Sequence, residues 1–438
     1  MRFVINHFLF LALLLSGAAI GQSAGDDSGD DWGDDEWGED EWGEDSKSSL
    51  WHGFAEGGYG YRFDRDPLFD NQETLNEARL YLESDRDLDQ FSLSFKGEGW
   101  YDGIVDGYLG EIREAVVKFS LFDNTDITAG RQVTTWGTGD LVFLNDQFPK
   151  AWDGFFNGRD DVYVKAPANA VRATSYFDAV NVDVVWTPRF TPDNFINGEY
   201  FSFFSAFAAE NVGGRNVIND KMPEGGIANS ELALRLYKNI DGVEYALYGY
   251  RGFDKLPVGI SNDFRPTYHR RNIWGASARG SGLGGLYNAE FSYEDARDDR
   301  NGTNPLVNNG LSKLLLGYER ELVPKLNLGL QYLVEKVADH EALIANSFAP
   351  QFERDSNRQW ITARIMHKSM QDKLTLNLFT IYSLSEKKPF LRWNANYRYS
   401  DNWTYVVGFN LVRGEKPNGF FGQFENASNA YVRVRYNF

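Results

Sequence analysis

Apolar and polar residues alternate with a period of two over most of the chain from Trp51 onward. Between residues 326 and 332, for example, leucines and a tyrosine alternate with Asn327, Gly329 and Gln331. This alternation predicts half-buried β-strands. It recurs in eighteen segments, most of them close to the ~9–11 residues that a tilted strand needs to cross a bilayer. The segments are 51–62, 75–84, 91–101, 109–121, 126–133, 170–177, 180–188, 230–238, 243–252, 270–280, 286–294, 311–321, 326–335, 358–368, 374–383, 389–399, 403–413 and 429–438.

The connections between these segments alternate in length. The odd-numbered connections have 5 to 41 residues, and the even-numbered ones have 2 to 6. Barrels of the outer membrane have short periplasmic turns and longer extracellular loops. We therefore predict an all-β fold: a transmembrane antiparallel β-barrel of about 18 strands, with 16 as the alternative count and both termini in the periplasm.

The first fifty residues differ from the rest. Arg2 and the apolar run at 8–20 indicate a signal peptide over residues 1–21. Residues 22–50 are acidic, with Trp32, Trp37 and Trp42 each followed by glycine. Such a composition predicts a disordered periplasmic segment, with docking of the three indoles onto a periplasmic partner as the sharper alternative. The barrel is then residues 51–438.

Composition supports a membrane barrel and excludes other classes. The chain has 23 Tyr, 12 Trp and 33 Phe, enough for the two aromatic girdles of such a barrel. It has no Cys, which excludes a disulfide scaffold and a thiolate zinc site. Its 44 basic against 63 acidic residues, with no basic run, exclude nucleic acid as a partner.

The last ten residues end on Phe438, with Tyr436 on the same face. They resemble the C-terminal signature of Gram-negative outer-membrane β-barrel proteins, which the barrel-assembly machinery reads. Residues 130–137, with Gly130-Arg131-Gln132 and Trp136-Gly137, are also similar to a strand-to-loop motif of substrate-selective porins and alginate-export-like barrels. The resemblance implies a bacterial outer-membrane location, contact with lipid and lipopolysaccharide, assembly through Tyr436 and Phe438, and a homotrimer.

The apolar face of each strand fixes which residues point into the lumen. In the last strand Val432 and Val434 belong to the lipid face, so Arg433 and Arg435 face inward. Charged residues on the lipid face would cost ~2–4 kcal/mol at the midplane. Bracing of the wall by paired charges is the alternative role for any one of them. The pore-lining candidates are Lys96, Glu98, Arg235, Arg279, Glu290, Lys313, Glu319, Arg364, Arg392, Arg398, Arg433 and Arg435.

The connection at 134–169 is the strongest candidate for a constriction. Long connections are uncommon unless they are functional, and in porin-like barrels the third outer loop commonly folds into the channel. A lid over the mouth is the alternative. The charged residues that would set the constriction are Asp140, Asp146, Lys150, Asp153, Arg159, Asp160 and Asp161.

Signals for catalysis and cofactors are weak. The histidines are scattered, and only His367 lies near a serine, Ser369. We predict no enzyme activity, no metal site and no cofactor. Ca²⁺ binding by the acidic tail or by the loop around Asp298 and Asp299 is the single exception considered.

The sequence thus predicts an outer-membrane porin or substrate-preferring channel through which small hydrophilic solutes diffuse. Two alternatives stay open. One is an exporter of an anionic polysaccharide, which a continuous ladder of Arg and Lys through the lumen would favour. The other is a structural barrel, or a receptor or sheath for a periplasmic partner.

Overall fold

The structure, a computed structural model, describes residues 51–206, 208–214, 217–414 and 419–438. The predicted signal peptide 1–21 and acidic segment 22–50 lie outside the described residues. No helix in these four ranges is long and apolar enough to cross a membrane.

Eighteen strands form one antiparallel sheet. They are β1 His52–Arg62, β2 Glu73–Leu88, β3 Phe91–Asp102, β4 Gly107–Phe122, β5 Thr125–Gln132, β6 Ala168–Ser175, β7 Asn181–Thr187, β8 Glu231–Ile240, β9 Val243–Phe253, β10 Arg270–Gly282, β11 Gly285–Ala296, β12 Leu311–Val323, β13 Leu326–Val337, β14 Asn357–Ser369, β15 Leu374–Ser383, β16 Pro389–Arg398, β17 Trp403–Val412 and β18 Asn429–Asn437. All eighteen predicted strands are confirmed, with ends that shift by a few residues.

The sheet closes on itself. Each strand pairs with the next along the chain, and β1 pairs with β18, where Phe54 lies opposite Asn437. Gly53 and Phe438 exchange two backbone hydrogen bonds of 3.2 and 3.0 Å at this seam. Closure leaves no unpaired sheet edge, which is a requirement for strands that cross a bilayer.

Turns and loops segregate to opposite ends of the barrel. Turns such as 89–90, 241–242 and 283–284 define one end, which is the periplasmic end in barrels of this kind. The longest loops, 133–167 and 188–230, leave the other end. The loops carry the two α-helices of the described residues, α1 Trp152–Asn157 and α2 His340–Asn346. They also carry the 3-10 helices Asp161–Val164, Ile227–Asn229, Pro350–Phe352 and Gly422–Ala427, and the short strand pairs Phe203–Ser205 with Glu210–Val212 and Gly259–Ile260 with Pro266–Thr267.

The outer wall is apolar at its centre and aromatic at its rims. Leu247, Leu316 and Val407 are among its exposed side chains. Near the periplasmic rim the Trp403 ring lies 5.0 Å from the Tyr436 ring. This band and girdle are the surface that an outer-membrane barrel presents to lipid.

The second long loop, 188–230, packs over the extracellular mouth. The Tyr200 hydroxyl donates to Asp102 at 2.8 Å, and the Ser202 hydroxyl donates to Asp66 at 2.6 Å. Phe201, which is fully buried, joins the aromatic core formed by the other long loop. The two longest loops are therefore packed against each other rather than separate.

Candidate functional site

The loop between β5 and β6, residues 133–167, lies inside the barrel and does not form a lid over its mouth. Its side chains and backbone bond to inward-facing residues on opposite walls, among them Glu98 of β3, Glu290 of β11 and Arg433 of β18. We call residues 133–167 the lumen loop. The predicted segment, 134–169, ended two residues later because β6 begins at Ala168.

The first half of the lumen loop is anchored on Glu290. This buried carboxylate, 1% exposed, accepts the backbone N–H groups of Thr138 and Asn145 at 2.8 and 2.9 Å. It also accepts the Thr138 hydroxyl at 3.1 Å and the Asn145 amide at 2.9 Å. Gly137 has a φ of +88°, and a Cβ there would lie 2.9 Å from a Glu290 oxygen. A glycine at this turn thus lets the backbone close onto the carboxylate.

The middle of the lumen loop is tied to loop 188–230. The Lys150 N–H and the Trp152 indole N–H donate to Asp193 at 2.9 and 2.7 Å. The Lys150 ammonium forms an ion pair of 2.8 Å with Asp146. Asp146 and Lys150 therefore stabilise the loop's own conformation, and both are buried.

Helix α1 inserts aromatic side chains into the extracellular half of the lumen. Phe155 stacks on Phe390 of β16 with ring centroids 4.9 Å apart, and Phe156 contacts the same ring at 5.8 Å. The Phe156 carbonyl accepts the side-chain amides of Asn410 and Asn429 at 2.9 and 2.8 Å. This side of the lumen is therefore filled by packed rings.

Gly158 ends helix α1 with a φ of +83°. A Cβ at this position would overlap the Tyr431 ring. Glycine therefore serves both the left-handed turn and the close approach to β18. The chain leaves this turn with three consecutive charged residues, 159–161, directed at the wall.

Asp160 binds two arginines of the last strand. It forms ion pairs with Arg433 and with Arg435, the latter at 2.6 Å. Glu56 of β1 contacts the same two arginines at 3.1 and 2.9 Å. Two carboxylates and two guanidinium groups therefore form a closed network beside the barrel seam.

Asp161 and Asp140 bind the next two inward arginines. Asp161 pairs with Arg392 at 2.5 Å and with Arg364 at 3.2 Å. Asp140 holds Arg364 in a bidentate pair of 2.6 and 2.7 Å. Four inward arginines are thus engaged by carboxylates of the lumen loop: Arg364 of β14, Arg392 of β16, and Arg433 and Arg435 of β18.

Arg159 continues these contacts past the seam, onto β2. This residue pairs with Glu77 at 2.6 Å, and Glu77 in turn binds Arg79 at 3.0 Å. Arg79 also reaches Glu98 at 2.6 Å, and the Tyr163 hydroxyl donates to Glu98 at 3.0 Å. The lumen loop is therefore held by ion pairs along the wall from β14 to β3 and by hydrogen bonds to Glu290 on β11, nine strands from β2 around the barrel.

The loop carboxylates are held in their charged form. Burial would raise the pKa of Asp160, but Arg433 and Arg435 outweigh it and hold that pKa well below its usual range. Burial likewise opposes ionisation of Asp161, yet Arg392 and Arg364 lower its pKa. Asp193 differs, because burial raises its pKa more than Lys150 lowers it.

These shifts predict how the loop responds to acid. A carboxylate whose folded pKa is lowered stabilises the docked loop at all pH values above the ordinary Asp pKa of about 3.9. That contribution is lost only as the pH falls through the lower folded value. We expect the single-channel conductance, which should rise when the loop undocks, to stay constant from pH 7 to about 4. It should rise only below that range. A change centred near pH 6 would contradict this assignment.

A cavity of about 240 Å³ remains beside the lumen loop. Charges of both signs line it: Arg235, Glu244, Arg279 and Glu319 of the wall, together with the Asp140–Arg364 pair. The Arg235 guanidinium donates to Glu244 at 2.8 Å. Arg235, Glu244 and Arg279 lie near the turns 241–242 and 283–284, so the cavity belongs to the periplasmic half of the lumen.

The remaining sequence candidates lie apart from this cavity. Lys96 is 4.0 Å from Glu114, and Lys313 pairs with Glu294 at 2.5 Å. Arg398 ends β16 close to the periplasmic rim. Asp153 is buried, with Arg159 at 3.9 Å. Whether any of the candidate residues touches a permeating solute stays a prediction.

Several residues that bind the lumen loop were not among the candidates predicted from the sequence. Glu56 lies in a glycine-rich stretch of β1, where the alternation that reveals facing is hard to read. Asp183 of β7 is fully buried and accepts the Trp136 indole N–H at 3.2 Å. Gln331 of β13 exchanges two hydrogen bonds of 3.0 Å with the Asp140 backbone. Of these three residues, only Asp183 could have been recognised from the sequence, because it is the one charged residue within the apolar strand β7.

Nothing in the described ranges groups three or more His, Cys, Asp and Glu side chains in a metal-binding arrangement. Asp298 accepts the Arg270 N–H at 2.8 Å and Asp299 accepts the Asn304 N–H at 2.6 Å, so both serve the loop backbone. Calcium binding stays untested, as do the absence of enzyme activity and the assembly role of Tyr436 and Phe438.

Comparisons with known proteins concern the fold. No family model and no curated protein matches the sequence. The solved structure of Acinetobacter baumannii OccAB3 is similar over 89% of this chain and 98% of that chain, with a TM-score of 0.51 and 10% identity. Salmonella typhi OmpF in complex with daunomycin matches over 89% and 97%, with a TM-score of 0.41 and 10% identity. A Rhodopseudomonas blastica porin triple mutant matches over 89% and 99%, with a TM-score of 0.38 and 12% identity. With OccAB3 as the supporting match, the chain has the closed β-barrel fold of outer-membrane porins.

Proposed function

We propose that this barrel is a loop-constricted channel for passive diffusion of small hydrophilic solutes across the outer membrane. One observation carries the proposal. The lumen loop crosses the barrel and leaves a cavity of about 240 Å³, lined by Arg235, Glu244, Arg279 and Glu319. A charged, narrow passage within a closed barrel selects solutes by size and charge.

The charge arrangement sets the expected selectivity. Acidic and basic groups are both present around the cavity. Within the Arg235–Glu244 pair and within the Asp140–Arg364 pair, the positive and negative charges cancel locally. Rings of one sign make a pore selective for ions of the other sign. Because the positive and negative charges around the cavity balance, we expect the channel to favour small neutral and dipolar solutes over both cations and anions.

The polysaccharide-export alternative is not favoured. It needs arginines that are free to bind a polyanion, whereas Arg364, Arg392 and Arg433 are engaged by carboxylates of the lumen loop. The described loops give no specific support to a purely structural or partner-binding barrel, since the lumen loop lies inside the barrel and loop 188–230 packs over its mouth.

Swelling of liposomes that contain the refolded, signal-free protein tests the proposal. We expect swelling in glycerol and in small sugars, with rates that fall steeply as solute size increases. Liposomes with a barrel lacking residues 151–163, which include helix α1, should admit larger sugars. A folded, heat-modifiable wild-type protein that admits no solute would overturn the channel proposal.

A further inference from the structure

The periplasmic rim of the barrel is divided into an acidic half and a basic half. We call the four turns between β2 and β9, each with four residues on either side, the acidic rim. These turns are 89–90, 123–124, 176–180 and 241–242, and the acidic rim carries nine acidic and three basic residues. The basic rim is defined in the same way from the turns between β10 and β17, which are 283–284, 324–325, 370–373 and 399–402. It has three acidic residues and six basic ones, Arg279, Arg320, Lys325, Lys368, Lys373 and Arg398.

Several cations of the basic rim lie close together around one carboxylate. The Lys325 ammonium donates to Asp372 at 2.8 and 2.9 Å. This hydrogen bond lowers the pKa of Asp372, and the charges of Lys325, Lys368 and Arg398 lower it further. The Arg398 N–H donates to the Lys373 carbonyl at 2.8 Å, which joins two of the turns. Positive charge is therefore concentrated where β13 to β16 meet the periplasm.

The basic rim presents cations to the lumen as well as to the periplasm. Arg364 and Arg392 face inward, and facing alternates along a strand. Lys368 and Arg398 lie an even number of residues further along the same two strands, so they also face inward. Lys373, by contrast, is exposed on its turn. A ligand on this rim can therefore contact cations on both sides of its edge.

The acidic segment 22–50 is attached to this rim. β1 starts at His52, and the bonds between Gly53 and Phe438 place that end of β1 at the periplasmic seam. The thirteen residues from Gly38 to Trp51 can span about 45 Å. A barrel of 18 tilted strands that are about 4.8 Å apart is only about 35 Å wide. Every turn of the periplasmic rim is therefore within reach of the segment.

Charge distinguishes the two halves of the rim for this segment. Residues 26–45 have twelve acidic residues and no basic one, so the acidic rim repels them and the basic rim attracts them. The seam adds one charge of each sign, Arg435 and the carboxylate of Phe438. Indole rings bind ammonium and guanidinium groups through their faces, which suits Trp32, Trp37 and Trp42. The covalent tether raises the local concentration of the segment to the millimolar range, so weak contacts are enough.

We propose that residues 26–45 of the acidic segment dock on the basic rim of their own barrel, beside the periplasmic mouth of the lumen. The carboxylates contact the lysines and arginines, and the three indoles lie against the same cations. The segment is then bound to its own barrel rather than to a separate periplasmic protein. This docking does not depend on the proposed channel function.

Disulfide crosslinking of the refolded, signal-free protein tests the docking, because the chain has no Cys of its own. One cysteine is introduced in the acidic segment as Gly38→Cys. The second replaces an exposed glutamine, either Gln371 on the basic rim or Gln90 on the acidic rim. Turn 89–90 starts one strand from β1, whereas turn 370–373 starts four strands away, so the tether alone favours Gln90. At low salt we expect crosslinking to Gln371→Cys to be about fivefold faster than to Gln90→Cys.

Salt and charge variants show whether the cations cause this preference. In 1 M salt, where charges are screened beyond about 3 Å, the preference for Gln371→Cys should disappear. The Lys368→Gln/Lys373→Gln variant should also lose it. The matched control Arg86→Gln/Lys238→Gln removes two cations of the acidic rim and should keep it. Heat-modifiable gel mobility checks that each variant is folded, and the single variant Lys373→Gln serves if the double one is not.

Two outcomes would overturn the docking. One is equal or faster crosslinking to Gln90→Cys at low salt. The other is a preference for Gln371→Cys that persists both in 1 M salt and in the Lys368→Gln/Lys373→Gln variant, since the cations would then not be the site. Crosslinking is measured without any solute, so a failure of this proposal and a failure of the channel proposal are distinguishable.

Discussion

Replacing both Asp160 and Asp161 with Asn is expected to open the lumen and to make it anion-selective. These carboxylates are partners of Arg433, Arg435, Arg392 and Arg364. Removing one partner of a buried ion pair costs about 3–5 kcal/mol, enough to undock the second half of the loop. The arginines would then face water. We expect about a twofold rise in conductance and a reversal potential that shifts toward the anion value.

A variant with two other aspartates changed controls for net charge. Asp263 and Asp372 each pair with an exposed lysine, Lys221 and Lys325, outside the lumen. The Asp263→Asn/Asp372→Asn variant changes charge by the same amount and should conduct like wild type. Unchanged conductance and selectivity in the Asp160→Asn/Asp161→Asn variant would show that these pairs do not hold the loop.

Replacing Glu290 with Leu should release the first half of the loop. Glu290 accepts four hydrogen bonds from Thr138 and Asn145, two of them from backbone N–H groups. A buried donor left without an acceptor costs about 1–3 kcal/mol. We expect rapid fluctuations of the open-channel current and faster proteolytic cleavage within residues 133–150. The barrel strands should stay protected, because their ladder is unchanged.

The Glu290→Gln variant is the matched comparison. Its amide keeps the shape of the side chain and one acceptor oxygen, so the current should fluctuate much less than in Glu290→Leu. Equal, quiet currents in wild type and Glu290→Leu would contradict the role assigned to Glu290.

The barrel was predictable because its signals are local. Alternation at residues 326–332 and the contrast between turns and loops required no knowledge of distant contacts. The same two-residue alternation predicted which side chains point toward the lipid and which toward the lumen. Val432 is exposed on the outer wall, and its neighbour Arg433 is buried. Eighteen strands and their order were therefore readable one segment at a time.

The partners within the lumen were not predictable. Asp160 and Arg433 are 273 positions apart, and no pattern in the sequence links them. The lumen loop has no period that reveals which side chains point where. Arg433 and Arg392 were proposed as lining residues with bracing as the alternative. Their ion pairs with the loop favour bracing for these two, whereas Arg235 and Arg279 lie beside the cavity.

Single-channel recording of the signal-free wild-type protein in planar bilayers, with the reversal potential in a salt gradient, tests the central claim. An open barrel narrowed by a charge-balanced loop predicts discrete conductance steps and a reversal potential near zero. Strong selectivity for cations or for anions would contradict the balance of positive and negative charges around the cavity. Electrical silence of correctly folded, heat-modifiable protein would contradict the claim that this barrel is a channel.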